Sequence, residues 1–134
     1  MHSDFYRTIA LITKDDPRFK REAYDFVLRA LDHTIRSLNR SGRGALEKHI
    51  TGQELLEGMR ELALREFGLL ARAVLESWGV TRTEDVGEIV FNLVDHQLLN
   101  RQDSDTREDF RDGYSFEKVF EQDFDIAVSD VLND

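Results

Sequence analysis

The sequence contains no cysteine, which excludes disulfide bonds, thiol nucleophiles and thiolate zinc sites. A chain of 134 residues, 40% of them hydrophobic, must therefore be stabilised by its packed core, and it is long enough for one domain. No apolar run approaches the roughly 18 residues of a membrane span, and the first residues, MHSDFYRTIALITKDD, are acidic where a signal peptide is basic. We therefore predict a cytoplasmic protein with no membrane partner, folded as a single domain over residues 1–134.

Proline is nearly absent as well, and the apolar residues recur at three- and four-residue steps. This periodicity places them on one stripe of a helix, so we predict a mainly α fold of about six helices. Serine, threonine and aspartate mark helix starts, because their side chains accept hydrogen bonds from the first backbone N–H groups. The predicted starts are Ser3, Asp16 followed by Pro17, Thr51 paired with Glu54 in a capping box, and Thr83.

Glycine is scarce inside the predicted helices. Two glycines, Gly87 and Gly113, predict local structure. Gly87 lies inside the helix that starts at Thr83, where glycine costs about 1 kcal/mol relative to alanine, so we expect another helix to approach closely. Asp112-Gly113 is a strong tight-turn signal between aromatic residues, and it predicts a small β-hairpin near residues 108–117. The stretch LLARAVLESWG is predicted to form a helix that is buried through Leu70, Val74, Leu75 and Trp78.

The element order after residue 50 includes a helix-turn-helix junction at WGVTRT and a hairpin after the third helix. This order resembles a winged-helix domain over about residues 51–117. The resemblance implies a winged-helix-like three-helix unit at 51–120, preceded by N-terminal helices and a basic loop at 1–50. A C-terminal helix or tail at 121–134 follows it. A winged-helix DNA reader places basic side chains of its third helix in the major groove.

The outer face of that third helix is acidic or neutral instead, and it consists of Glu84, Glu88, Asn92, Asp95 and His96. Phosphate contacts supply most of the affinity for duplex DNA, so we predict that this face does not bind it. Residues 83–134 hold 4 Lys/Arg against 15 Asp/Glu, whereas residues 1–82 hold 14 against 12. We predict that the five residues bind a protein partner with a basic surface, which favours a small non-enzymatic protein-interaction module.

Basic residues concentrate around the loop NRSGRGALEKH, and they form a candidate basic patch of Arg36, Arg40, Arg43 and Lys48. A nucleic-acid-binding or regulatory protein of winged-helix type that uses this patch is therefore the alternative function. The patch has no aromatic platform on which bases could stack, which weakens this alternative. Neutralising Glu84, Glu88 and Asp95 would separate the two hypotheses, because only the protein-interaction module depends on those carboxylates.

Residues that could carry catalysis or bind a metal are few. Glu88, Asn92 and His96 lie four residues apart along one helical line. Asp32 and His33 offer a second carboxylate–imidazole pair, so a metal-dependent enzyme or ligand-binding protein is a second alternative. The stretch DSDTREDFRDGY fails the calcium-loop pattern, and no phosphate-binding glycine loop or common catalytic motif is present. We therefore predict no catalytic residue, no metal site and no cofactor.

Four longer stretches carry a further resemblance: DPRFKREAYDFVLRALDHT, GQELLEGMRELALREFG, WGVTRTEDVGEIVFNLV and DFRDGYSFEKVF. They resemble an uncharacterised family of bacterial proteins of about this length, known mainly from planctomycetes, verrucomicrobia and related groups. The stretches cover most of residues 15–120, and the resemblance implies a shared fold. It implies no activity, cofactor or catalytic residue, so a function has to be inferred from the residues themselves.

Overall fold

Helices form almost all of the regular structure in residues 2–40, 50–99 and 107–122, which are the ranges that the computed structural model describes. The five α-helices of these ranges are α1 (His2–Asp15), α2 (Arg21–Arg40), α3 (Gly52–Phe67), α4 (Ala71–Ser77) and α5 (Thr83–Asp95). The shorter elements are the 3-10 helices Gly68–Leu70 and Arg107–Phe110 and the π-helical turn Lys118–Gln122. The mainly helical fold that the sequence predicts is therefore confirmed.

The β-hairpin predicted near residues 108–117 is wrong, because no residue of the described ranges lies in a strand. Asp112 does turn the chain, with a φ of 51°, but the turn joins a 3-10 helix to a helical turn. The Thr83 hydroxyl of α5 donates to the Phe110 carbonyl at 2.6 Å and accepts from the Gly113 N–H at 3.0 Å. These bonds satisfy backbone groups that strand pairing would otherwise use. The predicted winged-helix-like unit therefore lacks its wing, and the count of about six helices is also wrong.

The capping box that the sequence predicts at the start of α3 is confirmed. The Thr51 hydroxyl accepts from the Glu54 N–H at 3.1 Å, and the Glu54 carboxylate accepts from the Thr51 N–H at 2.9 Å. Ile50 and Leu55 flank this cap and are both buried, as expected for apolar residues that pack across a helix start. The first turn of α3 is thus capped by residues that are close in the sequence.

Three other predicted helix starts are displaced. Ser3 lies inside α1, and Thr83 is the first residue of α5 and not its cap. α2 begins at Arg21, because Asp16 closes a turn and does not cap the helix. The Asp16 carboxylate accepts from the backbone N–H of Arg18 at 3.2 Å and from its guanidinium group at 2.7 Å. Both side-chain oxygens of Asp16 are therefore engaged before α2 starts.

α2 and α3 form the most extensive helix pair of the described residues, and Gly58 allows their close contact. A Cβ atom at Gly58 would lie 1.8 Å from Thr34 Oγ1, so a larger residue would force the helices apart. Gly87 has the same role in α5, where an added Cβ would lie 2.9 Å from Phe110. The predicted close approach at Gly87 is confirmed, and the approaching element is the second 3-10 helix. Buried side chains from all five α-helices meet in one core.

α4 buries less of its surface than the sequence predicts. Leu75 is buried, but Leu70 is 65% exposed because it lies in the 3-10 helix before α4. Trp78 follows α4 and packs its ring against Phe26 and Phe67, with centroid distances of 5.6 and 5.8 Å. Within the described ranges, no helix is both long and apolar enough to cross a bilayer.

Candidate functional site

The predicted partner face of α5 lies against the turn between α1 and α2. Asn92 donates through Nδ2 to Asp16 Oδ2 and to the Tyr24 hydroxyl, both at 3.0 Å. Glu88 Oε2 lies 3.5 Å from the guanidinium group of Arg18. The middle of this face therefore holds α5 to the rest of the molecule through polar contacts.

The polar groups of this contact have shifted pKa values. Hydrogen bonds from the Arg18 side chain hold the pKa of Asp16 far below its ordinary value, and the Asn92 amide adds to the effect. Burial raises the pKa of Tyr24, which keeps its hydroxyl protonated. A carboxylate that stays ionised and paired suits a structural contact better than general acid or base catalysis, which needs a pKa near the working pH.

The other residues of the predicted partner face are spread along α5. Glu84 is half-buried in the first turn, whereas Asp95 is exposed at the last residue of the helix. They lie about 16 Å apart along the axis, given a rise of about 1.5 Å per residue. His96 Nδ1 lies 2.8 Å from the carbonyl oxygen of Asn92, one turn back. The structure thus brings Glu88 and Asn92 together but separates Glu84 from Asp95.

Residues suited to metal binding do not converge in the part of the chain that the structure describes. No group of three His, Asp or Glu side chains there could hold an ion. His33 places Nε2 3.2 Å from Glu61 Oε2, so this imidazole forms a polar contact between α2 and α3. The Asp32 carboxylate beside it pairs with Arg36 in the same helix.

A groove between α2 and α3 gathers positive charge, and we call it the arginine groove. It has a volume of about 430 Å³ and includes Arg36 and Arg40 of the predicted basic patch. Arg43 and Lys48 of that patch lie outside the described residues. The lining residues are Leu28, Arg29, Asp32, His33, Arg36, Arg40, Leu62, Arg65 and Glu66. Four guanidinium groups thus meet two carboxylates at one site of a protein whose net charge is −9.

The helical repeat explains how the groove forms. Four polar side chains of α2 that line the groove recur at steps of four, three and four residues, which places them on one side of the helix: Arg29, His33, Arg36 and Arg40. Arg65 faces them from the last turn of α3. Leu28 and Leu62 line the same groove, and Leu62 is buried, so the groove has an apolar floor between charged walls.

Carboxylates pair with two of the four arginines. Arg29 forms an ion pair with Glu66, which joins α2 to α3 at one end of the groove. Arg36 Nε lies 3.1 Å from Asp32 Oδ2 within α2, but the Arg36 and Asp32 side chains are 72% and 62% exposed. An exposed pair of this kind contributes about 1 kcal/mol at most, so an incoming anion can compete for Arg36.

Arg40 and Arg65 are the two arginines of the groove that have no ion-pair partner among the described residues. Arg40 makes one long contact, 3.4 Å, to Ser37 Oγ. Both side chains are exposed. A guanidinium group remains charged at all physiological pH values, and its planar donors match a carboxylate or phosphate. The groove can therefore bind an anionic group at both of these residues.

The sequence-based patch omits Arg29 and Arg65, which complete the groove. Arg29 lies seven residues before Arg36, and this helical spacing could have added it to the patch. Arg65 could not be found in the same way, because it reaches the groove only through the packing of α3 on α2. That packing depends on the Thr34–Gly58 contact, which no pattern in the sequence reveals.

A cavity between α1 and α2 is larger but less specific. Its volume is about 560 Å³, and Phe5, Tyr6 and Ile9 line it together with Arg21 and Asp25. Charges of both signs at its rim favour no particular ligand. The arginine groove is therefore the better candidate site, since its charge has one dominant sign.

The resemblance of four sequence stretches to a bacterial family stays a prediction. No protein-family model, no curated protein and no solved structure matches this chain.

Proposed function

We propose that this protein is a non-enzymatic interaction module that binds an acidic segment of another protein in the arginine groove. The observation that carries the proposal is the convergence of four arginines over an apolar floor in a chain of net charge −9. An acidic protein surface is ordinarily solvated and repels anions. A local excess of arginine in that setting selects a ligand that is negative and small enough to stay within the groove.

The pairing within the groove supports a carboxylate-bearing ligand. Arg40 and Arg65 have no ion-pair partner among the described residues, and the exposed Arg36–Asp32 pair is weak. Arginine binds carboxylates through two parallel hydrogen bonds, which gives orientation as well as affinity. An acidic segment can therefore gain several such bonds without breaking a strong internal contact.

Two features favour a protein segment over nucleic acid. Leu28 and Leu62 give the groove an apolar floor, and none of the described residues that line it is Phe, Tyr or Trp, so bases would have no large aromatic ring on which to stack. A nucleic-acid backbone would also extend beyond a groove of about 430 Å³ onto a surface of net negative charge. A basic partner on α5 has less support, because Glu88 and Asn92 contact their own chain.

The experiment uses fluorescence anisotropy with a short labelled peptide that contains glutamate and leucine. The groove variant carries Arg40→Glu with Arg65→Glu, and the matched control carries Arg7→Glu with Arg82→Glu. Both variants change the net charge equally at exposed positions, but Arg7 and Arg82 lie outside the groove. We expect micromolar binding by the parent and the control, and binding weaker by at least about tenfold for the groove variant.

Three outcomes would contradict the proposal. The parent protein fails to bind the peptide, or the two variants lose equal affinity, which would indicate a general charge effect. Tighter binding of a labelled single-stranded oligonucleotide of equal charge would favour the nucleic-acid alternative. Circular dichroism of each variant checks that the helices are intact before its affinity is compared.

A further inference from the structure

We infer that the acidic segment binds the arginine groove as an amphipathic helix, and this inference rests on the proposed function. The spacing of the cations on α2 is the first observation. Arg29, Arg36 and Arg40 lie on one side of the helix at intervals of seven and four residues. Given a rise of about 1.5 Å per residue, these intervals are about 10.5 and 6 Å along the axis.

A second helix alongside α2 would reproduce these intervals with its own side chains. Carboxylates at positions i, i+7 and i+11 of a partner helix share one side and have the same two spacings. An extended segment would place side chains of one face about 6.6–7 Å apart, from a rise of about 3.3 Å per residue. That repeat matches the shorter interval but not the longer one, so a helix, unlike an extended segment, can meet all three arginines in register. Arg29 would keep its ion pair with Glu66 and use its remaining N–H donors for the partner.

The ends of the groove are also cationic, which sets the length of the partner. The Arg29–Glu66 and His33–Glu61 contacts show that α2 and α3 run antiparallel, so Arg65 lies at the Arg29 end. Arg40 lies at the opposite end, in the last turn of α2. A partner helix of about three turns, or about 16–18 Å, would span both ends.

The floor of the groove supports the same arrangement. Leu28 is half-buried and Leu62 is buried, so together they form a shallow apolar surface between the charged walls. A volume of about 430 Å³ holds a few side chains and not a whole helix. The partner helix would therefore lie over the groove, with apolar side chains directed at the leucines and carboxylates at the arginines, as in other helix-in-groove complexes.

The test compares two labelled peptides of identical composition. The patterned peptide carries glutamate at i, i+7 and i+11 with leucines on the adjacent stripe, and the scrambled peptide distributes the same residues around the helix. Anisotropy measures affinity, and circular dichroism difference spectra measure helix formation on binding. We expect the patterned peptide to bind at least about tenfold more tightly and to gain helicity.

A charge-exchange experiment tests the register between the partner helix and α2. Arg36 is exposed, so the Arg36→Glu variant should fold normally. It should bind the patterned peptide more weakly than the parent protein does. A patterned peptide with lysine in place of the glutamate at i+7 should recover affinity for this variant and lose affinity for the parent protein. The same replacement in the scrambled peptide should give no recovery, because its charges do not align with α2.

These measurements distinguish failure of the helical inference from failure of the proposed function. Equal binding of both peptides without a gain in helicity would overturn the helical inference and leave the proposed function intact. No binding of either peptide would overturn both. Binding restricted to a single-stranded oligonucleotide would overturn both as well and identify a nucleic-acid ligand.

Discussion

At the scale of single residues, the Thr83 hydroxyl holds the segment around Phe110 and Gly113 against α5. It both donates to the Phe110 carbonyl and accepts from the Gly113 N–H, while its own residue is 1% exposed. A buried carbonyl that loses its donor costs about 1–3 kcal/mol, because water cannot replace the lost hydrogen bond. Thr83 thus fixes the path of the chain over the start of α5.

Thr83→Val tests this role with little change of shape. We expect the free energy of unfolding to fall by about 1–3 kcal/mol, measured by urea denaturation. The control is Thr8→Val, since the Thr8 hydroxyl donates to the Asp4 carbonyl within its own helix. It should change stability by less than about 0.5 kcal/mol. Equal losses for the two variants would contradict the bridging role of Thr83.

Asp16 gives a pH-dependent prediction at the same scale. Its folded pKa is depressed by Arg18, so the ionised carboxylate stabilises the protein above the unfolded pKa of about 3.9, and this stabilisation is lost as the pH falls. Asp16→Asn should therefore be less stable than the parent at pH 7. The difference should shrink below about pH 4, where the unfolded carboxylate takes up its proton.

Thermal unfolding at a series of pH values checks the Asp16 prediction. Asp15→Asn is the matched control, because Asp15 is exposed and pairs with no cation of the described residues. At pH 7 the control should not lose the stability that Asp16→Asn loses. A constant deficit of Asp16→Asn at every pH would show that the ionised charge of Asp16 does not contribute.

At the scale of elements, the start of α3 is capped by residues that are close in the sequence. Thr51→Ala removes the hydroxyl that accepts from Glu54, and we expect a loss of about 1 kcal/mol in chemical denaturation. Thr13→Ala is the control, because the Thr13 hydroxyl donates to the Ala10 carbonyl inside α1. Alanine favours a helix interior, so this variant should lose no stability. A loss at Thr13 as large as that at Thr51 would argue against the capping box.

Elements governed by local chemistry could be predicted from the sequence, and elements governed by distant contacts could not. The cap at Thr51 and the apolar stripe of α2 were predicted, since each depends on residues a few positions apart. The turn at Asp112 was also predicted, but the hairpin was not formed because Thr83, far away in the chain, binds both sides of that turn. Arg36 and Arg40 of the groove were predicted for the same local reason, whereas Arg65 required the pairing of α2 with α3.

At the scale of the whole molecule, Phe110 connects the last described segment to the core. Phe110 is 2% exposed, and its ring lies against Gly52 of α3 and Gly87 of α5. Phe110→Ala should lower the free energy of unfolding by about 3–5 kcal/mol, since it leaves a cavity between two helices. Leu69→Ala, at a side chain that is 54% exposed, should cost less than about 0.5 kcal/mol.

Two probes can show whether this effect reaches the entire fold. The fluorescence of Trp78 reports on its aromatic contacts with Phe26 and Phe67, and far-ultraviolet circular dichroism reports on all helices. A single core predicts that Phe110→Ala lowers both transition midpoints together. Separate midpoints would mean that the region around Phe110 unfolds as an independent unit.

The contact between Gly58 and Thr34 has a kinetic consequence for any complex formed at the arginine groove. Because Gly58 lets α2 and α3 touch along their length, the groove walls are in place before a partner arrives. Only the partner has to become ordered, so the association rate should rise linearly with protein concentration and show no plateau from a slow rearrangement of this protein. Gly58→Ala should separate α2 from α3 at this contact. The variant should therefore bind its partner more slowly as well as more weakly, because a loosened groove must first regain its shape.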